Sequence, residues 1–121
     1  MMHNYREIKI WQHSRRLVKV IYLLTKEFPK EEIYGLTSQI RRAVVSIPAN
    51  IAEGAGRGTD KDFSHFLDIA RGSLFELETL VILSSDLEFI SEPRSIEVLE
   101  NTSEILRMLN SFQNKILKSN V

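Results

Sequence analysis

The chain has 121 residues, 43% of them hydrophobic, with 16 Lys and Arg balanced by 16 Asp and Glu and no cysteine. That length suits one domain, and the balance is that of an ordinary globular protein rather than a disordered or membrane-spanning one. Without cysteine there are no disulfides, thiolate metal sites or thiol catalysis, and three scattered histidines do not suit zinc.

The opening residues, Met1-Met2-His3-Asn4-Tyr5-Arg6, lack an apolar signal core, so the expected location is cytoplasmic, with no membrane partner. Charge is unevenly placed: residues 1–61 carry 11 Lys and Arg against 6 Asp and Glu, and residues 62–121 carry 5 against 10. Such a split suits a basic face for an anionic partner, or two faces that meet in self-association. Two oppositely charged hairpins attracting each other within one fold would produce it equally.

Apolar residues recur at three- and four-residue steps in four segments, and no segment alternates as a strand does. The first runs from about Arg6 to Glu27 on Ile10, Trp11, Leu17, Val18, Ile21, Leu24 and Phe28, and is closed by Pro29 and Lys30-Glu31-Glu32. The second starts near Gly35, places Leu36, Ile40, Ala43, Val44, Ile47 and Ile51 on one stripe, and ends at Gly54, Gly56 and Gly58. The third opens at Thr59, an N-cap followed by Asp60 and Asp62 in the first turn. Its seam is Phe63, Phe66, Leu67, Ala70, Leu74, Leu77, Val81 and Leu87. The fourth follows Ser91, with Pro93 in the first turn, where proline costs no helical hydrogen bond. Its stripe is Ile96, Leu99, Leu106, Leu109, Phe112 and Ile116.

Short loops between long helices make neighbours antiparallel. The expected fold is therefore all-α, an up-down-up-down four-helix bundle spanning residues 1–121. Apolar residues off the stripes widen three of the helices: Val20, Tyr22 and Leu23; Phe75, Leu80, Ile82 and Leu83; Val98, Ile105, Met108 and Leu117. A band this broad implies a second buried face and hence a homo-oligomer, although single apolar residues on a surface are ordinary.

The stretch Ser46-Ile-Pro-Ala-Asn-Ile-Ala-Glu-Gly-Ala-Gly-Arg-Gly58 breaks the helical pattern with a proline and three glycines. It is not a phosphate cradle: it matches neither GxxxxGK[ST] nor GxGxxG after a strand, and Asp60 and Asp62 occupy the helix end that a phosphate would need. A packing role fits better. Gly54 is expected to end the helix in a left-handed conformation, Gly56 and Gly58 to allow the reversal, and Pro48 to bend the helix by opposing the carbonyl of Val44. Gln39, Ser46, Asn50 and Glu53 form a polar stripe beside the apolar one, and Ser73 and Glu76 lie in the third segment. They read either as a solvated face or as a hydrogen-bonded polar seam within or between subunits.

Taken with IWQHSRRLV at 10–18, the motifs YGLTSQIRRA at 34–43, SIPANIAEG at 46–54 and ARGSLFELET at 70–79 resemble the 23S ribosomal RNA intervening-sequence protein family, also called four helix bundle or ribosomal-protein-like proteins. The resemblance covers nearly the whole chain. It implies a bacterial four-helix bundle that assembles as a homopentamer, without enzymatic activity or cofactor. It also implies kinship with the accessory protein of diversity-generating retroelements, which binds nucleic acid and a reverse transcriptase.

A nucleic-acid partner, RNA in particular, needs clustered cations that release counterions. The candidates are Lys9, Arg15, Arg16 and Lys19 on the first helix, Arg41 and Arg42 on the second, and Arg57 in the glycine turn. The zero net charge departs from a dedicated RNA binder and keeps open a protein-interaction scaffold. Tyr5, Trp11 and Tyr22 are the plausible stacking aromatics, and Trp11 reads more naturally as core. Catalysis has little footing: a ferritin-like centre needs Glu-x-x-His, and the residues three before His13 and His65 are Ile10 and Asp62.

Overall fold

The computed structural model describes residues 3–118. Four helices form among them: α1 (Lys9–Thr25), α2 (Leu36–Ala55), α3 (Asp60–Asp86) and α4 (Glu92–Lys118), with short 3-10 turns at Tyr5–Glu7 and Lys30–Glu32. Antiparallel pairing follows from the contacts. Along α3 and α4, Ser64 meets Gln113, Arg71 meets Asn110 and Glu78 meets Thr102. Ser46 meets Ser73 across α2 and α3, while Thr25 meets Arg41 and Glu27 meets Arg94 at the far end of α1. Helices α2 and α3 pack most extensively against each other, and α1 and α4 least.

One apolar core runs through all four helices, with Ile10, Leu17 and Ile21 from α1, Ile40, Val44, Ile47 and Ile51 from α2, Phe63, Leu67, Leu74 and Leu77 from α3, and Ile105 and Leu109 from α4. Hydroxyls buried among them bond back to their own helix: Ser14 to the Trp11 carbonyl, Thr25 to Ile21 and Ser84 to Leu80. That leaves none of these donors orphaned in the core.

The helix starts are set by identifiable caps. Thr59 accepts from the Asp62 amide at 3.1 Å and Ser91 from the Arg94 amide at 3.4 Å. At the front, the Asn4 side chain caps the 3-10 turn through the Arg6 amide and Ile8 is extended, so α1 begins at Lys9 and not near Arg6. Its end at Thr25 likewise falls short of Glu27.

The expected left-handed helix end at Gly54 is corrected. Gly54 does not terminate the helix, and no glycine has positive φ. Instead Gly54 allows a close approach of α3 to α2, since a Cβ there would lie 2.7 Å from Phe66 Cβ and 2.8 Å from Phe63 Cδ1. Helix α2 also runs through Pro48 as one element. Among the described residues the left-handed one is Glu88 (φ 64°), at the end of α3. There Phe89 N–H donates to the Ser84 carbonyl and Glu88 N–H to that of Ser85, a Schellman closure. It tucks Phe89 against Phe28 (ring centroids 5.7 Å apart) and turns Leu87 out to 56% exposure.

Helix α4 is rotated from the expected stripe. Val98, Thr102, Ile105, Leu109 and Ile116 face inward, while Ile96 is 48% exposed. Ser95 and Thr102 are buried on this inner line, so its apolar character is broken in the sequence and the neighbouring Ile96-Leu99-Leu106 row looks the stronger.

Candidate functional site

The amphipathicity of α1 dictates its outer surface. With Ile10, Ser14, Leu17, Ile21 and Leu24 turned inward, Lys9, Arg15, Arg16 and Lys19 are all exposed, and the helix contains no acidic residue. Among the described residues none of these four cations, nor Arg42 on α2, has a carboxylate within ion-pairing distance. Four like charges over three turns repel one another, and no ion pair of the fold neutralises them.

Arg6, Trp11, Gln12, Arg15 and Arg16 line one concavity of about 620 Å³ at the start of this helix. Gln12 Nε2 donates to the Arg6 carbonyl at 2.8 Å, fixing the preceding turn against the helix. The Trp11 ring is half-buried, meets Tyr5 edge-on at 5.1 Å, and has the Arg15 guanidinium 5.5 Å from its centre. Arg6, which precedes the helix, lies 5.5 Å from the Tyr5 ring centre. Arg6 belongs to no helical stripe, which hides it in the sequence, and Trp11, both a core and a stacking candidate there, is partly buried against the core.

The other proposed cations differ. Arg41 is half-buried: its Nε donates to Thr25 Oγ1 at 2.9 Å and its guanidinium lies 4.6 Å from the Tyr22 ring centre. Together with Arg42, Ile33 and Val45 it lines a second concavity of about 580 Å³. Arg57 pairs with Glu53 at 3.0 Å and covers Phe66 at 4.7 Å, which ties the α2–α3 turn together.

The polar stripe is brought together only in part. Ser46 Oγ and Ser73 Oγ are 2.8 Å apart, and Asn50 Nδ2 donates to Ser46 Oγ at 2.9 Å and to the Ser46 carbonyl at 2.8 Å. Gln39, Glu53 and Glu76 are exposed and stand outside this seam. A larger polar clasp joins α3 to α4: Arg71 donates to Asp68, Asn110 and Gln113, and Gln113 Nε2 donates to Asp68 and to Ser64. The Gln113 bond, followed by the bond and charge of Arg71, holds the Asp68 carboxyl below its ordinary value. Among the described residues no three His, Asp or Glu side chains are gathered as a metal would require, and no helix is long and apolar enough to cross a membrane.

Comparison with known proteins bears on this architecture directly. The pattern of the 23S rRNA-intervening sequence proteins matches residues 6–111, from the arginine at the mouth of the α1 concavity to the last turns of α4. The chain belongs to the 23S rRNA-intervening sequence protein family. A solved structure from Bacteroides thetaiotaomicron, described as a protein of unknown function from the S23 ribosomal protein family, is similar in fold with a TM-score of 0.80 and 26% identity. The similarity covers 87% of this chain and 95% of that one. No curated protein matches. The family match takes in the cationic face of α1, the Ser46–Asn50–Ser73 seam and the close approach at Gly54.

Proposed function

We propose that this member of the 23S rRNA-intervening sequence protein family is a non-enzymatic, homo-oligomeric RNA-binding module of the cytoplasm, in which the cationic face of α1 is repeated around a ring, five copies in the reading we favour. The observation that carries it is the row Lys9, Arg15, Arg16 and Lys19, exposed and without carboxylate partners. A backbone of phosphates neutralises such a row and releases counterions. Repetition in a ring supports the idea because a single copy's field is weak, and avidity raises affinity without new contacts. Exposed apolar side chains on α1 and α3, including Leu23, Phe75, Ile82 and Leu83, supply surface for self-association.

A mobility-shift titration with single-stranded RNA across salt concentrations tests the proposal. Changing Arg15, Arg16 and Lys19 together to Gln is expected to weaken binding and flatten the salt slope by about 2, at roughly 0.7 per phosphate contact. No binding at low salt, or binding unaffected by the triple substitution, rejects it. A protein-scaffold reading is favoured by the Tyr22–Arg41 stack beside exposed Ile33 and Val45, a composition typical of protein–protein hot spots. A partner held irrespective of nuclease and salt would establish it.

A further inference from the structure

We infer that the concavity of Arg6, Trp11, Gln12, Arg15 and Arg16 is a pocket for one unpaired nucleotide, with the base stacked on Trp11 and the adjoining phosphates held by the three guanidinium groups. This rests on the RNA-binding reading and goes further by naming the form of nucleic acid and the contact that selects it.

Three observations converge. First, Trp11 is the only tryptophan in the chain, and it stands half-buried at the edge of the core rather than inside it. Trp11 packs partly on the core, meets Tyr5 with the ring planes at 70°, and has the guanidinium of exposed Arg15 5.5 Å from its ring centre, so a base that stacks on this ring displaces Arg15 toward the adjoining phosphate. An aromatic face backed by a rigid scaffold is what sequence-tolerant recognition of single strands uses.

Second, the cations have no carboxylate partner. Arg57, Arg71 and Arg94 each pair with a carboxylate, whereas among the described residues Arg6, Arg15 and Arg16 pair with none. Guanidinium forks match phosphate oxygens bidentately, so three around one cleft suit a phosphodiester on either side of a bound base. Third, the walls are held in place. The Asn4 cap and the Gln12 bond to the Arg6 carbonyl fix the turn that forms the upper wall. The volume of about 620 Å³ falls within the range of small-ligand sites.

The geometry also discriminates. A base inside a duplex has both faces covered by its neighbours, and the deep major groove of A-form RNA does not admit side chains. Stacking on Trp11 therefore requires an unpaired nucleotide, in a loop, bulge or single strand.

The fluorescence of the sole tryptophan reads this contact in the intact protein. We would titrate with a uridine RNA octamer, the corresponding thymidine DNA octamer, an abasic octamer of equal charge, and an RNA duplex. The RNA octamer is expected to quench Trp11 and to bind between about 5- and 150-fold more tightly than the abasic one, the range of one base–aromatic stack. Trp11→Leu, verified as helical by circular dichroism, should bind both octamers with the weaker affinity. Equal quenching by the DNA octamer means that the pocket takes any unpaired nucleotide, and weaker quenching that the ribose is read as well.

Equal affinity for RNA and abasic octamers with unchanged fluorescence overturns the stacking pocket while leaving charge-driven RNA binding intact. Quenching by the duplex as strong as by the octamer overturns it too. No binding of any probe at low salt removes the RNA-binding reading itself.

Discussion

Gly54 provides the sharpest test of the packing. In an open helix position Gly→Ala stabilises by up to about 1 kcal/mol, because alanine loses less backbone entropy on folding. At Gly54 the added methyl would stand 2.7 Å from Phe66 Cβ, 2.8 Å from Phe63 Cδ1 and 3.3 Å from the Phe63 carbonyl oxygen. Restoring an ordinary 3.4 Å contact to Phe66 Cβ requires a shift of 0.7 Å. That atom is attached to the α3 backbone, so a rotamer change cannot supply the shift and the helices must separate along their most extensively packed seam. Overpacking of this kind costs about 1–3 kcal/mol, and the rigidity of the obstacle argues for the upper end. Subtracting the propensity gain of about 1 kcal/mol leaves a net loss of about 2 kcal/mol.

For a chain of this size that corresponds to a midpoint lower by about 8 °C, at roughly 4 °C per kcal/mol. Gly72 is the internal control: it lies within α3 with nothing within 4 Å of its would-be Cβ, so Gly72→Ala should stabilise by about 0.5–1 kcal/mol. Melting followed by circular dichroism at one fixed protomer concentration separates the two, the concentration being held because association shifts the midpoint. Gly54→Ala melting at or above the wild-type midpoint would refute the close-approach argument, and a destabilising Gly72→Ala would show that something packs on that face of α3.

Other consequences are equally direct. Glu88→Gly should stabilise by about 1 kcal/mol, since the left-handed conformation costs a non-glycine residue about 1–2 kcal/mol and the unfolded chain recovers part of that; an unchanged urea midpoint would count against it. Thr59→Ala should cost about 1 kcal/mol through loss of the Asp62 cap, and Thr59→Asp should restore it in the same urea series. Asp68, with its folded pKa held below 3.8, contributes stability that is present above the unfolded value and lost as pH falls through the folded one. The difference in urea midpoint between wild type and Asp68→Asn should therefore shrink from pH 7 to pH 2, and a difference unchanged between the two would remove the clasp from the account.

The bundle is legible in the sequence wherever the signal is local. Thr59 and Ser91 announce their helices because a cap acts over three residues, and the α2 stripe marks the core because it is wholly apolar from Ile40 to Ile51. What escaped depends on contacts distant in sequence. Gly54 looks like a helix terminator when only the approaching loop is in view, and its real constraint comes from Phe63 and Phe66 on another helix. Glu88 carries no turn signature, since its left-handed conformation is imposed by docking Phe89 on Phe28. The same holds for the candidate site: the exposed cations of α1 follow from its pattern, but Arg6 joins them only because Asn4 and Gln12 fold the preceding turn back over the helix.

The uneven charge of the two halves invites one more test, because its simplest explanation is attraction between the hairpins within the fold. The ion pairs do not follow that plan. The one described pair joining the two halves links Glu27, an acid of the basic half, to Arg94, a base of the acidic half. Arg57–Glu53 and Arg71–Asp68 each stay within a half, as does the 3.6 Å contact of His3 with Asp60. The cations of α1 are thus not spent on holding the bundle together, and crowding four of them on one helix costs energy that salt screens. Changing Arg15, Arg16 and Lys19 together to Gln should leave the low-salt melting midpoint equal to or above that of wild type, and raising salt should narrow any difference. If the triple variant instead melted several degrees lower at low salt, the positive face would be structural glue, and a polyanionic partner would lose its strongest support.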